Sequence, residues 1–133
     1  MDDALNATKA AIQEGIIPGG GVAFIKATSL LSNIKLMHND NDISAGISIV
    51  ERACYEPFKQ IVKNSGQSPD VLLEKVIKSD DFTGYDSRND KFDNMFKLGI
   101  VDPFKVARCA LENAASSASM LLSVGSAMID HVD

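Results

Sequence analysis

The chain's 133 residues, 45% hydrophobic and 23% charged, have the composition of a globular protein with enough apolar material for one modest core. Because the formal net charge is −5, there is no basic footprint, and we expect neither nucleic acid nor a membrane surface as a partner. No stretch has the length of a membrane-spanning helix or the charge order of a secretory signal, so we expect neither insertion nor secretion.

The start of the chain predicts two helices separated by glycines. Apolar or small residues recur at helical spacing as far as Glu14, opposite a polar face: Ala4, Leu5, Thr8, Ala11 and Ile12 against Asp2, Asn6, Lys9 and Gln13. Three glycines, 19–21, then remove the Cβ atoms from the entrance of a second helix marked by Ala23, Ala27, Leu30, Leu31 and Ile34. This geometry lets a ligand approach the peptide groups, although a plain turn is equally consistent and no Gly-Lys-Ser/Thr follows to make a phosphate-binding loop.

The middle of the chain predicts three shorter helices and a hairpin. After a polar loop at 35–41, Asp42 caps a helix that ends before Pro57, and Pro57 opens the next, which stops at Gly66. Ser68 then caps a helix that buries Leu72, Val76 and Ile77. Residues 80–94 are turn-rich and acidic around Phe82, Tyr85 and Phe92, which indicates a β-hairpin.

The last and longest helix is predicted to open at Asp102, its N-cap, and to run to about Leu122. Its small residues from Ala114 to Ser119 would let neighbouring helices approach closely, as in a central helix. The roughly alternating tail at 127–132 predicts a strand that needs a partner.

Cysteines and histidines do not suggest a metal site. Cys54 and Cys109 lie in apolar helical patterns without ligand spacing, which favours buried free thiols in a reducing compartment. His38 and His131 are far apart in sequence and are expected to be surface residues.

Four segments, in this order and at these separations, resemble the C-terminal part of the group I chaperonins, the GroEL type. They are Asp2-Asp3-Ala4-Leu5-Asn6-Ala7-Thr8, Gly15 to Gly21, Thr83-Gly84-Tyr85-Asp86 and Lys97 to Val106, followed by Arg108 to Ser116. The resemblance covers essentially the whole chain. It implies a mainly α fold, a helical bundle with a small β-hairpin like the GroEL equatorial domain, present as an incomplete domain. Residues 1–15 would end the intermediate domain and its hinge, and 16–133 would form the C-terminal part of the equatorial ATP-binding domain.

The resemblance also implies roles for single residues. Asp3 would be the catalytic carboxylate that orients the water attacking the terminal phosphate of ATP. Gly20 would contact ribose and adenine, Ile100 would pack on the adenine face, and Asp102 would accept hydrogen bonds from the ribose hydroxyls. The hinge and loop would be shaped by Gly15, Gly19 and Gly21.

The segment Asp86, Ser87 and Arg88 matches family positions that contact adenine. Many bacterial members carry Asn-Ala-Ala there, and an ionised Asp accepts hydrogen bonds without donating any. At these three positions the resemblance therefore implies contacts to adenine through the main chain, which survive the substitution.

The activity implied by the resemblance is ATP hydrolysis with Mg²⁺, whose ligands would lie mostly outside this chain. The implied partners are identical subunits in a double ring, a co-chaperonin of the GroES type and unfolded client proteins. The implied compartment is the bacterial cytoplasm, or a mitochondrion or plastid lumen in a eukaryote.

Met1 matches a position deep inside the family sequence, so we expect a fragment that lacks the phosphate-binding loop and is inactive as an ATPase by itself. Two other interpretations stay open. One is a non-catalytic helical fragment that acts only through protein–protein association. The other is a small ATP-binding module without chaperone action.

Overall fold

Helices dominate the computed structural model, which describes residues 2–37 and 40–126. In chain order the elements are α1 (Asp2–Glu14), β1 (Ile16–Pro18), α2 (Val22–Met37), α3 (Asn41–Asn64), α4 (Pro69–Lys78), β2 (Thr83–Asp86), β3 (Lys91–Asn94), β4 (Val101–Pro103) and α5 (Phe104–Ser123). The predicted mainly α fold with a small hairpin is confirmed. Within these described residues, no helix combines the length and apolar character needed to span a bilayer.

The chain divides into two compact units. The α1–α5 unit comprises the described parts of 1–15 and 103–133, and the central unit is Ile16–Asp102. Helix α5 therefore belongs with α1, whereas the resemblance predicts one boundary near residue 15. That domain boundary stays a prediction.

The core of the central unit lies among α2, α3, α4 and the β2–β3 hairpin. Eight buried side chains form it: Val22, Ile25, Phe58, Val62, Leu73, Val76, Tyr85 and Met95. In the antiparallel hairpin, Tyr85 stands opposite Phe92, with their ring centroids 5.4 Å apart. Cross-strand aromatic pairs of this kind stabilise a short hairpin that could not hold together by itself.

Helix α3 is a single helix of 24 residues and not two helices that meet at Pro57, as predicted. A proline inside a helix lacks the N–H donor and crowds the preceding turn, a penalty of about 3 kcal/mol. Phe58 and Val62, which follow it, are fully buried in the core, and this packing outweighs the penalty. The predicted stop is confirmed, because Gly66 takes a left-handed conformation with φ of +79° just past the helix end.

Several predicted caps and loops differ from the structure. Asp40, not Asp42, caps α3, since its Oδ1 accepts the N–H of Asp42 at 2.8 Å. Helix α2 continues to Met37, so the predicted loop at 35–41 is shorter. Ser68 occupies the N-cap position of α4 but its hydroxyl makes no capping hydrogen bond.

The buried faces of α2 and α4 are shifted from the predicted ones. Helix α2 buries Val22, Ile25 and Thr28, while Leu30 is 64% exposed. Helix α4 buries Leu73 and Val76, while Leu72 is half-buried and Ile77 is exposed. Periodicity located these helices correctly, but it did not fix which side of each faces its neighbours.

In the α1–α5 unit, the apolar face predicted for α1 is exposed. Leu5 and Ile12 are 55% and 80% exposed, and Ala10 is the residue of α1 that is buried. Helix α5 has no buried residue over its described length and is shorter than α3, so the prediction of a longest, central helix is wrong. Arg108 of α5 ties the two helices together through Glu14 at 2.8 Å.

Some predictions fall on residues that the structure does not describe. His38, His131 and the tail strand at 127–132 lie outside 2–37 and 40–126. Cys54 and Cys109 are inside that range, and both are half-buried free thiols.

Candidate functional site

The glycine turn at 19–21 is built by contacts that exclude a side chain. Gly20 and Gly21 have φ of +66° and +78°, the left-handed region that glycine adopts without strain. A Cβ on Gly21 would lie 2.8 Å from the backbone nitrogen of Phe58, and one on Gly19 would lie 3.1 Å from the carbonyl of Ile100. The close approach at this turn is made within the chain, by α3 and by the residue before β4, and the ligand contact expected there stays a prediction.

Ile100 joins the glycine turn to the hairpin. Its carbonyl accepts the N–H of Gly19 at 3.0 Å, and its own N–H donates to the carbonyl of Met95 at 2.9 Å. The Ile100 side chain is half-buried against the core. The short β1–β4 pairing, which the sequence did not predict, continues this contact between the two segments.

Met95 is the residue around which the site is assembled, and sequence reasoning missed it. It is fully buried. A Cβ on Gly20 would touch its terminal methyl at 3.0 Å, and one on Gly84 would lie 2.8 Å from its sulfur and would also overlap Val22. Methionine adapts its shape to irregular gaps, so nothing in its sequence context distinguishes this role from ordinary core packing.

At the end of β2, the Asp86 carboxylate is committed to its own turn. Its Oδ2 accepts from the Asn89 amide at 2.6 Å, and its Oδ1 accepts the N–H groups of Arg88 at 3.0 Å and Asn89 at 3.3 Å. The Asn89 side-chain bond, with support from these backbone donors, lowers the pKa of Asp86. Ser87 is half-buried and Arg88 is exposed, so the main chain of this turn is held in place by an acid that has little free capacity to contact a ligand.

Asp102 lies in β4 and does not cap α5, contrary to the prediction. Pro103 takes the N-cap position of that helix and supplies no side-chain bond. The Asp102 residue is exposed, yet desolvation by neighbouring protein atoms raises the pKa of its carboxyl. Because the residue is exposed and does not cap α5, its oxygens can accept from an external donor.

Asp3 and Gly15 belong to the α1–α5 unit. Asp3 is exposed in the first turn of α1. Gly15 ends α1 with φ of +87°, and its carbonyl accepts the N–H of Phe104 at 3.0 Å. The structure thus brings together Gly19, Gly20, Ile100 and the base of the hairpin that carries Asp86, all in the central unit, and the roles predicted for these residues stay predictions.

Metal ligands are not grouped in the described part of the chain. No cluster of three or more His, Cys, Asp or Glu residues there could hold an ion. In the central unit, the Asp86 carboxylate is bonded within its own turn and the Asp102 residue is exposed.

Comparisons with known proteins agree on one family. The model of the TCP-1/cpn60 chaperonin family matches residues 1–131. The fold is similar to the crystal structure of a group III chaperonin in the open state, with a TM-score of 0.81 and 26% sequence identity. The match covers 90% of this chain and 25% of that chain, so the present chain spans about a quarter of that relative's length.

Proposed function

Because this chain belongs to the TCP-1/cpn60 chaperonin family, we propose that it serves ATP-dependent protein folding by supplying the adenosine-facing half of a nucleotide site and the hydrolysis carboxylate. The family resemblance seen in the sequence is confirmed, and the group I subtype is part of the proposal. So are the double ring of identical subunits, the GroES-type co-chaperonin, the unfolded clients and the cytoplasmic or organellar location.

The convergence of the glycine turn, Ile100 and the hairpin on Met95 is the observation that carries this proposal. It supports a nucleoside contact where the half-buried Gly20 backbone and the half-buried Ile100 side chain lie beside the hairpin. A flat aromatic base suits that combination, because it needs an apolar face beneath it and main-chain polar groups at its rim.

Side chains around this surface suit the rest of the nucleoside. The exposed Asp102 carboxylate has no capping duty and can accept from ribose hydroxyls. Since the turn occupies the Asp86 carboxylate, the segment 86–88 contacts adenine through its main chain. Asp3 orients the attacking water, and the ligands of Mg²⁺ and the phosphate-binding loop come mostly from sequence outside this chain.

ATP titration of the chain in a calorimeter tests the half-site. We expect weak, saturable binding that Gly20→Ala reduces about tenfold, because the new Cβ strains a residue at φ of +66° and presses on the buried Met95 methyl at 3.0 Å, which displaces the turn. Gly66→Ala is the matched control: it has the same backbone strain at φ of +79°, but no atom lies within 4 Å of its Cβ. Equal ATP affinity in the two variants would contradict the proposed site.

A second candidate function, association without catalysis, is favoured by the exposed apolar side chains of α5. Met120, Leu121 and Leu122 are 67%, 70% and 89% exposed. Exposed apolar side chains next to one another commonly mark protein contacts. Self-association of a chain that shows no measurable ATP affinity would favour this function over the nucleotide site.

A further inference from the structure

A groove between α1 and α5, inside the α1–α5 unit, is not used by the nucleotide site. Its volume is about 560 Å³, within the range of roughly 300–1,000 Å³ typical of small-molecule sites. Helix α1 lines it with Asn6, Lys9, Ala10 and Gln13, and α5 lines it with Lys105, Val106, Cys109, Ala110 and Asn113. These positions recur at helical spacing, so successive turns of both helices face the groove.

The groove is cationic in a chain whose net charge is −5. Its lining includes two lysines, Lys9 and Lys105, and no Asp or Glu. The Lys105 ammonium donates to the Oε1 of Gln13 at 2.8 Å, and its charge also acts on the neighbouring Glu14, whose carboxylate is bonded to Arg108. By contrast, Arg108 on the same helix is paired with both Glu14 and Glu112.

The remaining lining is apolar with a few amides. Ala10 is 8% exposed, Val106 is 52% exposed, and Ala110 and the half-buried thiol of Cys109 lie beside them. These small side chains leave room in the groove for the apolar body of a ligand. An inorganic anion would leave this apolar surface in water, whereas an aromatic or aliphatic body would cover it, at about 25 cal/mol for each Å² removed from water.

From this charge and this lining, we propose that the groove binds a small organic monoanion. Its carboxylate pairs with Lys9 and Lys105, and its compact apolar body lies on Ala10, Val106 and Ala110. The amides of Asn6 and Asn113 at the groove offer further hydrogen bonds to polar substituents. The site is separate from the residues assigned to the nucleotide and does not depend on that assignment.

Titration of the whole chain with 2-naphthoate, followed by calorimetry, tests the charge complementarity. The neutral 2-naphthamide has nearly the same shape and is the ligand control. We expect naphthoate to bind at least about tenfold more tightly than naphthamide, and we expect Lys9→Gln or Lys105→Gln to remove most of that difference. Lys97→Gln, an exposed lysine of the central unit, leaves it unchanged. Equal affinity for the two ligands, or lysine variants that bind naphthoate as the unaltered chain does, would overturn the proposal.

Thiol footprinting of the unaltered chain locates the ligand without any substitution. Iodoacetamide is neutral and alkylates both free cysteines, and mass spectrometry of the peptides gives each rate. Saturating naphthoate is expected to slow the alkylation of Cys109, which lines the groove, at least about fivefold, and to leave Cys54 in the central unit unaffected. No protection of Cys109, or equal protection of both thiols, would show that naphthoate binds elsewhere.

Discussion

At the scale of single residues, two glycines with the same backbone conformation have different reasons to be glycine. Gly21 and Gly66 have φ of +78° and +79°. A Cβ on Gly21 would lie 2.8 Å from the Phe58 nitrogen, whereas open space surrounds Gly66. The first position is constrained by packing as well as by its dihedral angle, and the second by its dihedral angle alone.

We therefore predict that alanine destabilises the two positions unequally. Gly66→Ala should lower the free energy of unfolding by about 1 kcal/mol, the strain of a left-handed residue with a Cβ. Gly21→Ala should lower it by a further 1–3 kcal/mol or so, because the backbone of α3 cannot move aside as a side chain would. Urea denaturation of both variants measures the difference, and losses of equal size would show that the contact with Phe58 relaxes freely.

The Asp86 carboxylate predicts a dependence of stability on pH. Its pKa is lowered in the folded chain, first by Asn89 and then by backbone donors, so the unfolded chain binds the proton more readily. The stabilisation is complete above the ordinary Asp pKa, near 3.9, and is lost as the pH falls through the lower folded value. Asp86→Asn should have a flatter stability profile below about pH 4 than the unaltered chain, as measured by thermal melting. Parallel profiles would mean that the turn does not depend on the charge.

The sequence predicted this site unevenly. The run of three glycines predicted a turn that excludes side chains, and packing against Phe58, Ile100 and Met95 gives the reason, while the ligand contact stays a prediction. Asp102 was predicted to cap a helix because Pro103 follows it. It lies instead in β4, which pairs with the distant β1, and local sequence patterns do not encode such a pairing. The sequence did not predict that Met95 contacts both the glycine turn and the hairpin, because its sequence context is the same as that of any core methionine.

At the scale of elements, Lys26 holds α4 to α2. Its ammonium donates to the carbonyl oxygens of Val76 and Ser79 at 2.7 and 2.8 Å, at the C-terminal end of α4, where a positive charge is favourable. We predict that Lys26→Met lowers the free energy of unfolding by about 1.5–3 kcal/mol, the range for hydrogen bonds that involve a charged group, and that Lys26→Arg restores part of it. Urea denaturation measures both. Lys78→Met, which removes an exposed pair with Glu74, is the control and should change little. If Lys26→Met lowers the free energy of unfolding no more than Lys78→Met does, the bonds from Lys26 to the end of α4 do not stabilise the fold.

Replacement of Pro57, inside α3, is expected to stabilise the chain. Pro57→Ala restores a helical N–H at position 57 and should raise the free energy of unfolding by about 1–3 kcal/mol, less than the full penalty because proline also stiffens the unfolded chain. Thermal melting measures the gain. A destabilised Pro57→Ala variant would mean that the core around Phe58 depends on the distortion that the proline introduces.

Periodicity located the helices, but it predicted some of their ends and buried faces wrongly. The rule that a helix ends before proline failed at Pro57, because burial of Phe58 and Val62 decided the outcome. In α1, the predicted apolar stripe is exposed, and the buried residue is Ala10, on the side that carries the predicted polar residues Asn6 and Gln13. Which face is covered depends on the partner, and a single helix does not specify its partner.

At the scale of the whole molecule, the exposed apolar surface of α5 predicts self-association. Leu121 and Leu122 are 70% and 89% exposed, and Met120 beside them is 67% exposed. We expect sedimentation to show a concentration-dependent species that Leu121→Ser with Leu122→Ser reduces, without a lower melting temperature at high dilution. Ser116→Ala with Ser117→Ala, on the same helix, is the control. A sharply melting monomer at every concentration would remove the support for association through α5.

ATP turnover by an Asp3→Ala variant tests most directly the proposal that this chain carries the hydrolysis carboxylate of a chaperonin. The segment is built into a full-length chaperonin in place of the quarter it matches, and ATP affinity and single-turnover hydrolysis are measured together. Because a water-orienting carboxylate acts mainly in the transition state, Asp3→Ala should slow hydrolysis by orders of magnitude and leave ATP affinity nearly intact. Asp2→Ala, the adjacent exposed carboxylate, should retain normal turnover. Lost ATP affinity with an unchanged hydrolysis rate in Asp3→Ala, or slow turnover in Asp2→Ala instead, would contradict the assignment.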